Sequence, residues 1–219
     1  MAMRPRSLRL LSVIALAAGC SDDDSSSSDT ARVVQIGAPG ETNRVLSPEE
    51  VVELDAPAYT DADVAFVQGM IHHHHQALTM TALVDERTER DDLPLLAERM
   101  DVSQSDEIVQ LEAWLTARGQ PIPDEHGAHA GGTVGLMPGM LTDEELAQLE
   151  AATGRVFDEL FLQYMIRHHE GAVTMIQQLV DDGAAQEPAV FQLAEGMGSD
   201  QQVEISRMRQ LLAEVAAGR

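Results

Sequence analysis

Two stretches of this sequence place imidazoles and thioethers at helical spacing. Residues 66–80, FVQGMIHHHHQALTM, and residues 161–175, FLQYMIRHHEGAVTM, agree at nine of fifteen positions without a gap. Agreement of that density marks an internal repeat. Each copy sets a Met and two His at i, i+3 and i+4: Met70 with His73 and His74, Met165 with His168 and His169. On a helix such residues share a face. A duplicated set of imidazoles and thioethers is a set of soft-to-intermediate metal ligands. Adjacent helical residues lie about 100° apart, so the two His of a pair cannot both point straight at one centre. One of each pair is expected to face the bundle axis and the other a flank or a neighbouring helix. His72 and His75 widen the first pair to four consecutive His, but Arg167 and Glu170 stand at those places in the second copy. The outer two are therefore not part of the shared pattern.

Further candidates surround this set. Glu107 and Glu204 fall mid-helix on an inward stripe, where a buried carboxylate needs a partner. Each has three options: a hydrogen bond to a ligand His, direct metal ligation, or an ion pair with an arginine such as Arg167. Gln104 and Gln201 are placed to hydrogen-bond these carboxylates. Met80 and Met175, further along the helices, serve as core or as a second site. His126, His129, Met137 and Met140 form His-x2-His and Met-x2-Met pairs in the Gly/Pro-rich loop 120–141, a secondary metal-binding candidate.

These side chains need helices to position them. Thr60, followed by acids, starts an apolar stripe of period three to four that runs to about Arg87. A second stripe spans about Pro94 to Ala117, and Gly119 and Pro121 stop it. Thr142-Asp-Glu-Glu is a capping box that opens a short helix. Two more long helices cover about 155–181 and 187–216. The second and fourth also repeat: Met100-x3-Gln104-x2-Glu107-Ile108 matches Met197-x3-Gln201-x2-Glu204-Ile205. The unit is thus a helical hairpin used twice, over about 60–118 and 155–217. Two amphipathic hairpins bury their stripes most simply as an antiparallel four-helix bundle. The 3 % aromatic content suits an all-α domain over 58–219.

The start of the chain has another character. Arg4, Arg6 and Arg9 precede a short apolar run that ends in Leu16-Ala-Ala-Gly-Cys20, the arrangement of a lipoprotein signal over residues 1–20. Cys20 is the only cysteine and has no disulfide partner, which fits lipidation. Residues 21–57, opening with SDDDSSSSD, read as a disordered tether, although Ser47-Pro-Glu-Glu could cap a short helix. The net charge is −23, with no lysine, which excludes nucleic acid as a partner. The long helices lack the Glu-x-x-His of di-iron bundles, and no Cys lies in the domain to build an iron–sulfur or thiolate zinc site.

The pattern F-x3-MI-x-HH-x2-A-x2-M, then Q-x2-EI, with MPGM at 137–140 before the second copy, resembles the domain of unknown function 305 family (DUF305) over about residues 58–217. The resemblance implies a ferritin-like four-helix bundle in an exported protein, with members linked to copper binding and copper resistance. It extends to Met70, His73, His74, Met80, Gln104 and Glu107, and to Met165, His168, His169, Met175, Gln201 and Glu204. The reading that follows is a non-enzymatic, lipid-anchored protein facing the periplasm or cell exterior. It would bind Cu(I) or Ag(I) through His and Met for sequestration or for transfer to a copper-handling envelope protein. Another transition metal, an oxidoreductase with a His/Glu site inside the bundle, and a metal-free structural bundle are the alternatives. With unperturbed imidazoles, metal affinity is expected to fall below pH of about 6.5.

Overall fold

The computed structural model describes residues 33–35, 42–47, 57–123 and 136–218. They belong to two units, Met1–Ala56 and Pro57–Arg219. In the first, Val34–Gln35 (β1) and Arg44–Val45 (β2) pair antiparallel, with Val34 opposite Val45. This short ladder departs from the structureless tether expected there. Val33, Val34 and Val45 flank a stretch containing Gly37, Pro39 and Gly40, a hairpin composition. Cys20, the signal segment and the helix expected after Ser47 lie outside the described residues.

The second unit is all-α. Its helices are α1 (Asp61–Thr81), α2 (Val84–Arg87), α3 (Leu93–Ala117), α4 (Asp143–Ala151), α5 (Gly154–Asp181) and α6 (Pro188–Ala216). Thr60 caps α1 and Thr142 caps α4, each in a reciprocal capping box with the acid three residues on. The first long helix is shorter than its stripe predicts. The Thr81 hydroxyl donates back to the Leu78 carbonyl, and the Leu83 amide tightens onto Met80, so α1 stops before α2 begins. Among the described residues, no helix is long and apolar enough to cross a membrane.

α1 packs on α3 and α5, and α6 packs on α5 and α3, so the order around the bundle is α1–α3–α6–α5. The buried apolar side chains form two clusters. One joins the end of α1 and the start of α3 (Ala77, Met80, Leu93, Met100) to the start of α5 and the end of α6 (Phe161, Met165, Met208, Leu211). The other joins the complementary halves, among them Phe66, Met70, Trp114, Ala172 and Met197. Repeat-equivalent residues therefore sit in opposite clusters: Met70 and Met165, Met80 and Ala172's neighbour Met175, Met100 and Met197. The turn of each hairpin lies over the open end of the other, about a pseudo-two-fold axis perpendicular to the helices.

Two buried aspartates tie this arrangement. Asp63, at the start of α1, accepts from the Thr60 amide at 2.7 Å and from the Ala185 amide, in the α5–α6 turn, at 2.7 Å. Its repeat equivalent Asp158, at the start of α5, accepts from the Thr88 hydroxyl, in the α1–α3 connection, at 2.6 Å. Each hairpin's opening helix thus holds the other hairpin's turn.

Candidate metal centre

At mid-height, between the two apolar clusters, the helices turn polar. His73, His74, His168 and His169 are all buried, with at most 1 % of their surface exposed. The 100° step between neighbours explains how one dipeptide serves two helices. His73 reaches from α1 toward α5, where its ring lies against His168 with centroids 3.8 Å apart and planes tilted by 39°. His74 reaches toward α3 and its Nε2 bonds the Glu107 carboxylate at 2.6 Å. On the second hairpin, His169 Nε2 bonds Glu204 at 2.6 Å. Of the three options open to the glutamates in the sequence, the structure thus shows the hydrogen bond to a His; Arg167 instead pairs with Glu145 through both its terminal nitrogens.

The residues 137–141 close one side of this layer. They lie between α1 and α5 and strap the layer. The Pro138 carbonyl accepts from His73 Nε2 at 2.9 Å, and Gln76 bonds both the amide and the carbonyl of Leu141. On α5 the strap touches Gly171, where an added Cβ would stand 1.9 Å from the Pro138 oxygen. Gly139, at φ 79°, leaves room for the Arg167 carbonyl beside it. On the opposite side, between α3 and α6, a groove of about 550 Å3 is lined by Ser103, Asp106, Glu107, Met197 and Asp200. Burial, and then the charges of Glu107 and Glu204, push the Asp200 carboxyl up from its ordinary value.

Hydrogen-bond logic fixes the free ring atoms. A carbonyl only accepts, so His73 carries its proton on Nε2 and presents a lone pair at Nδ1. His74 and His169, whose Nε2 atoms face carboxylates, turn Nδ1 away from them. These three Nδ1 atoms and His168 Nε2 are buried and have no hydrogen-bond partner in the protein. Burial pushes the His73 imidazole down to about 3, against the opposing pull of the Pro138 carbonyl, and neighbouring His74 and His169 add to the fall. Burial, then the other three imidazoles, hold His168 well below the ordinary His range. For these two rings protonation does not compete with a ligand near pH 6.5, contrary to the expectation drawn from unperturbed values.

The other candidates fall as follows. Met70 and Met165 are fully buried, one in each apolar cluster; Met80 is likewise fully buried. Met175, Met137 and Met140 are half-buried. Gln104 and Gln201 are buried but make no hydrogen bond to the glutamates, and Gln104 Oε1 and Nε2 and Gln201 Oε1 find no partner in the protein. His126 and His129 lie outside the described residues. Among the described residues, no three His, Asp or Glu side chains are already gathered around one point. Sequence reasoning missed the strap and the paired Asp63 and Asp158, although an acid on an inward stripe in both copies was a readable signal.

Fold and site together define a ferritin-like four-helix bundle with a buried layer of imidazoles. The chain belongs to the DUF305 family, a domain of unknown function, which it matches over residues 63–212. It is similar to the crystal structure of a DUF305 fragment from Deinococcus radiodurans, at 34 % identity and a TM-score of 0.62, over 72 % of this chain and 99 % of that one. A DUF305 protein from Streptomyces coelicolor aligns at 31 % identity and a TM-score of 0.61, over 71 % and 94 %. CopM in its Cu(II)-bound form aligns at 27 % identity and a TM-score of 0.57, over 69 % and 96 %; Cu(I)-bound and Ag-bound forms of CopM are similar as well. No curated protein matches the sequence.

Proposed function

We propose that this chain is an exported copper-binding protein that takes up Cu(I), or Ag(I) in its place, at the imidazole layer and sequesters it or passes it on within the cell envelope. The observation that carries the reading is the set of four buried ring nitrogens with no partner in the protein. Leaving a buried polar atom unmade costs about 1–3 kcal/mol, so four in one layer call for an occupant. The donor set fits copper: imidazole suits it in both oxidation states, and the thioethers of Met70 and Met165, one helical turn away, favour Cu(I) over Zn(II) or Fe(II). The copper- and silver-bound forms of CopM support the choice of metal. The ion is cargo here. His73, His74, His168 and His169 bind it as neutral donors, while Glu107 and Glu204 orient His74 and His169 and balance charge. Drawing donors from two hairpins to one centre requires side-chain rotation from the arrangement seen. Lipidation at Cys20 would hold the domain at a membrane.

A competition titration against a Cu(I) chelator tests the reading. Wild type should hold copper against the chelator, and the variant with His73, His74, His168 and His169 replaced by Ala should not. Equal retention by a folded four-His variant would remove the layer as the site. The groove beside Glu107 favours a second reading, an oxidoreductase with a His/Glu metal site open to a substrate. That reading requires the metal-loaded protein to turn over a reductant with oxygen or peroxide, at a rate that Glu107→Gln lowers.

A further inference from the structure

A separate feature lies on the strapped face. Gly69, on α1, leaves a notch where a side chain would otherwise stand. The position its Cβ would take is 3.2 Å from Met137 Sδ and 3.4 Å from Met175 Cε. One thioether comes from the strap and the other from α5, and both residues are half-buried rather than enclosed in the core. His72 lies one turn along α1 on the same face, and its Nδ1 is buried with no partner in the protein. Met70, Met80 and Met165 sit inside the apolar clusters as core filler, and Met175 packs on the edge of one. Met137 instead comes from a turn outside the bundle and meets Met175 over a residue with no side chain.

We propose that Met137 and Met175, meeting at the Gly69 notch one helical turn from His72, form a second site for a soft monovalent cation, Cu(I) or Ag(I). Uncharged thioethers bind these ions and discriminate against Cu(II), Zn(II) and hard cations. The site shares only its metal with the imidazole layer and needs none of its four His. Its placement gives it a role, because Met137 is bonded to Pro138, whose carbonyl holds His73. A cation received at these thioethers therefore sits next to the strap that closes the layer.

The test is a titration of reduced, metal-free protein with Cu(I), read by bound equivalents and by X-ray absorption for sulfur scatterers. Met137→Leu with Met175→Leu keeps side-chain volume and removes only sulfur, so the fold should survive. This variant should bind one equivalent fewer than wild type with reduced sulfur scattering, while keeping the equivalent held at the imidazole layer. The four-His variant should show the converse. If the double Leu variant binds as many equivalents with unchanged sulfur scattering, the site does not exist, whatever becomes of the imidazole layer. Where the four-His variant fails to fold, the double Leu variant in the wild-type background decides alone. Failure of the imidazole reading has its own signature: a four-His variant that folds and binds as wild type does.

Discussion

His73 and His168 lie ring against ring at the pseudo-two-fold axis, 3.8 Å apart, yet only His73 is hydrogen-bonded to the strap. The cause is geometric. The strap is present once in the chain and lies over the axis, so its one Pro138 carbonyl can serve only one of two equivalent rings. Two histidines alike in sequence context are thereby made unlike in their free nitrogens.

This asymmetry can be read by nuclear magnetic resonance of the metal-free protein. His73 should appear as the Nε2-protonated tautomer and stay neutral down to about pH 4, given its depression to about 3. His168 should likewise titrate well below the ordinary His range. An imidazole at either position titrating near pH 6.5 would contradict the burial described.

The same depression sets a dependence of stability on pH. Above pH of about 6.5, folded and unfolded chains both carry neutral His73, and the group is without effect. As pH falls below that value, the unfolded chain takes the proton and the folded one does not, so stability drops until the folded group titrates near 3. At pH 4.5 the His73 share of the loss is about 2–3 kcal/mol. Denaturant melts of wild type and His73→Gln at pH 7.5 and 4.5 should show the smaller pH-dependent loss in the variant.

Replacing Glu107 or Glu204 by Gln should weaken Cu(I) binding by about 10–100-fold, the usual cost of losing a carboxylate that orients a ligand His. The fold should persist, because Gln still accepts from the His ring. Competition titrations of the two single variants check this, and equal losses would show that both hairpins contribute donors.

Gly171→Ala should displace the strap, since the new methyl would meet the Pro138 oxygen at 1.9 Å. Overpacking of this kind costs about 1–3 kcal/mol. Hydrogen exchange should rise at Leu141, whose amide donates to Gln76, and remain unchanged in the α3–α6 half of the bundle.

Asp63→Ala should cost more than Asp158→Ala. The first leaves the buried Ala185 amide without its partner and removes half of the Thr60 capping box, for about 2–4 kcal/mol in all. The second frees one hydroxyl, Thr88, which can rotate to another acceptor, for about 1 kcal/mol. The sites lie at opposite ends of the bundle, so thermal melts of the double variant should show additive losses.

Much of this was legible in the sequence because local physics wrote it there. The caps at Thr60 and Thr142, the period-three-to-four stripes and the spaced Met-x2-His-His sets all specify structure within a few residues. What each His addresses was not legible, because that depends on which helix lies on either side. The strap was missed for the same reason: Pro138-Gly139 announces a turn but not the helix groove that receives it. The expected reach of the first helix to Arg87 is broken at residues 82–83, where the Thr81 hydroxyl bonds back to Leu78 and the Leu83 amide tightens onto Met80. A finer reading of the repeat held a clue, since Gln76 in one copy is Gly171 in the other. One binds the strap with a side chain, and the other admits it by having none.

The crossed ties of Asp63 and Asp158 have a consequence for descent. Two hairpins that each hold the other's turn are arranged as the protomers of an isologous dimer, joined here in one chain. In a true dimer every change at the axis is made twice, so the two sides cannot be tuned apart. Fusion lifts that constraint. Gly69 against Tyr164, and His72 against Arg167, are places where the two copies already differ. A duplicated hairpin is thus free to specialise, each half changing at the axis without the other.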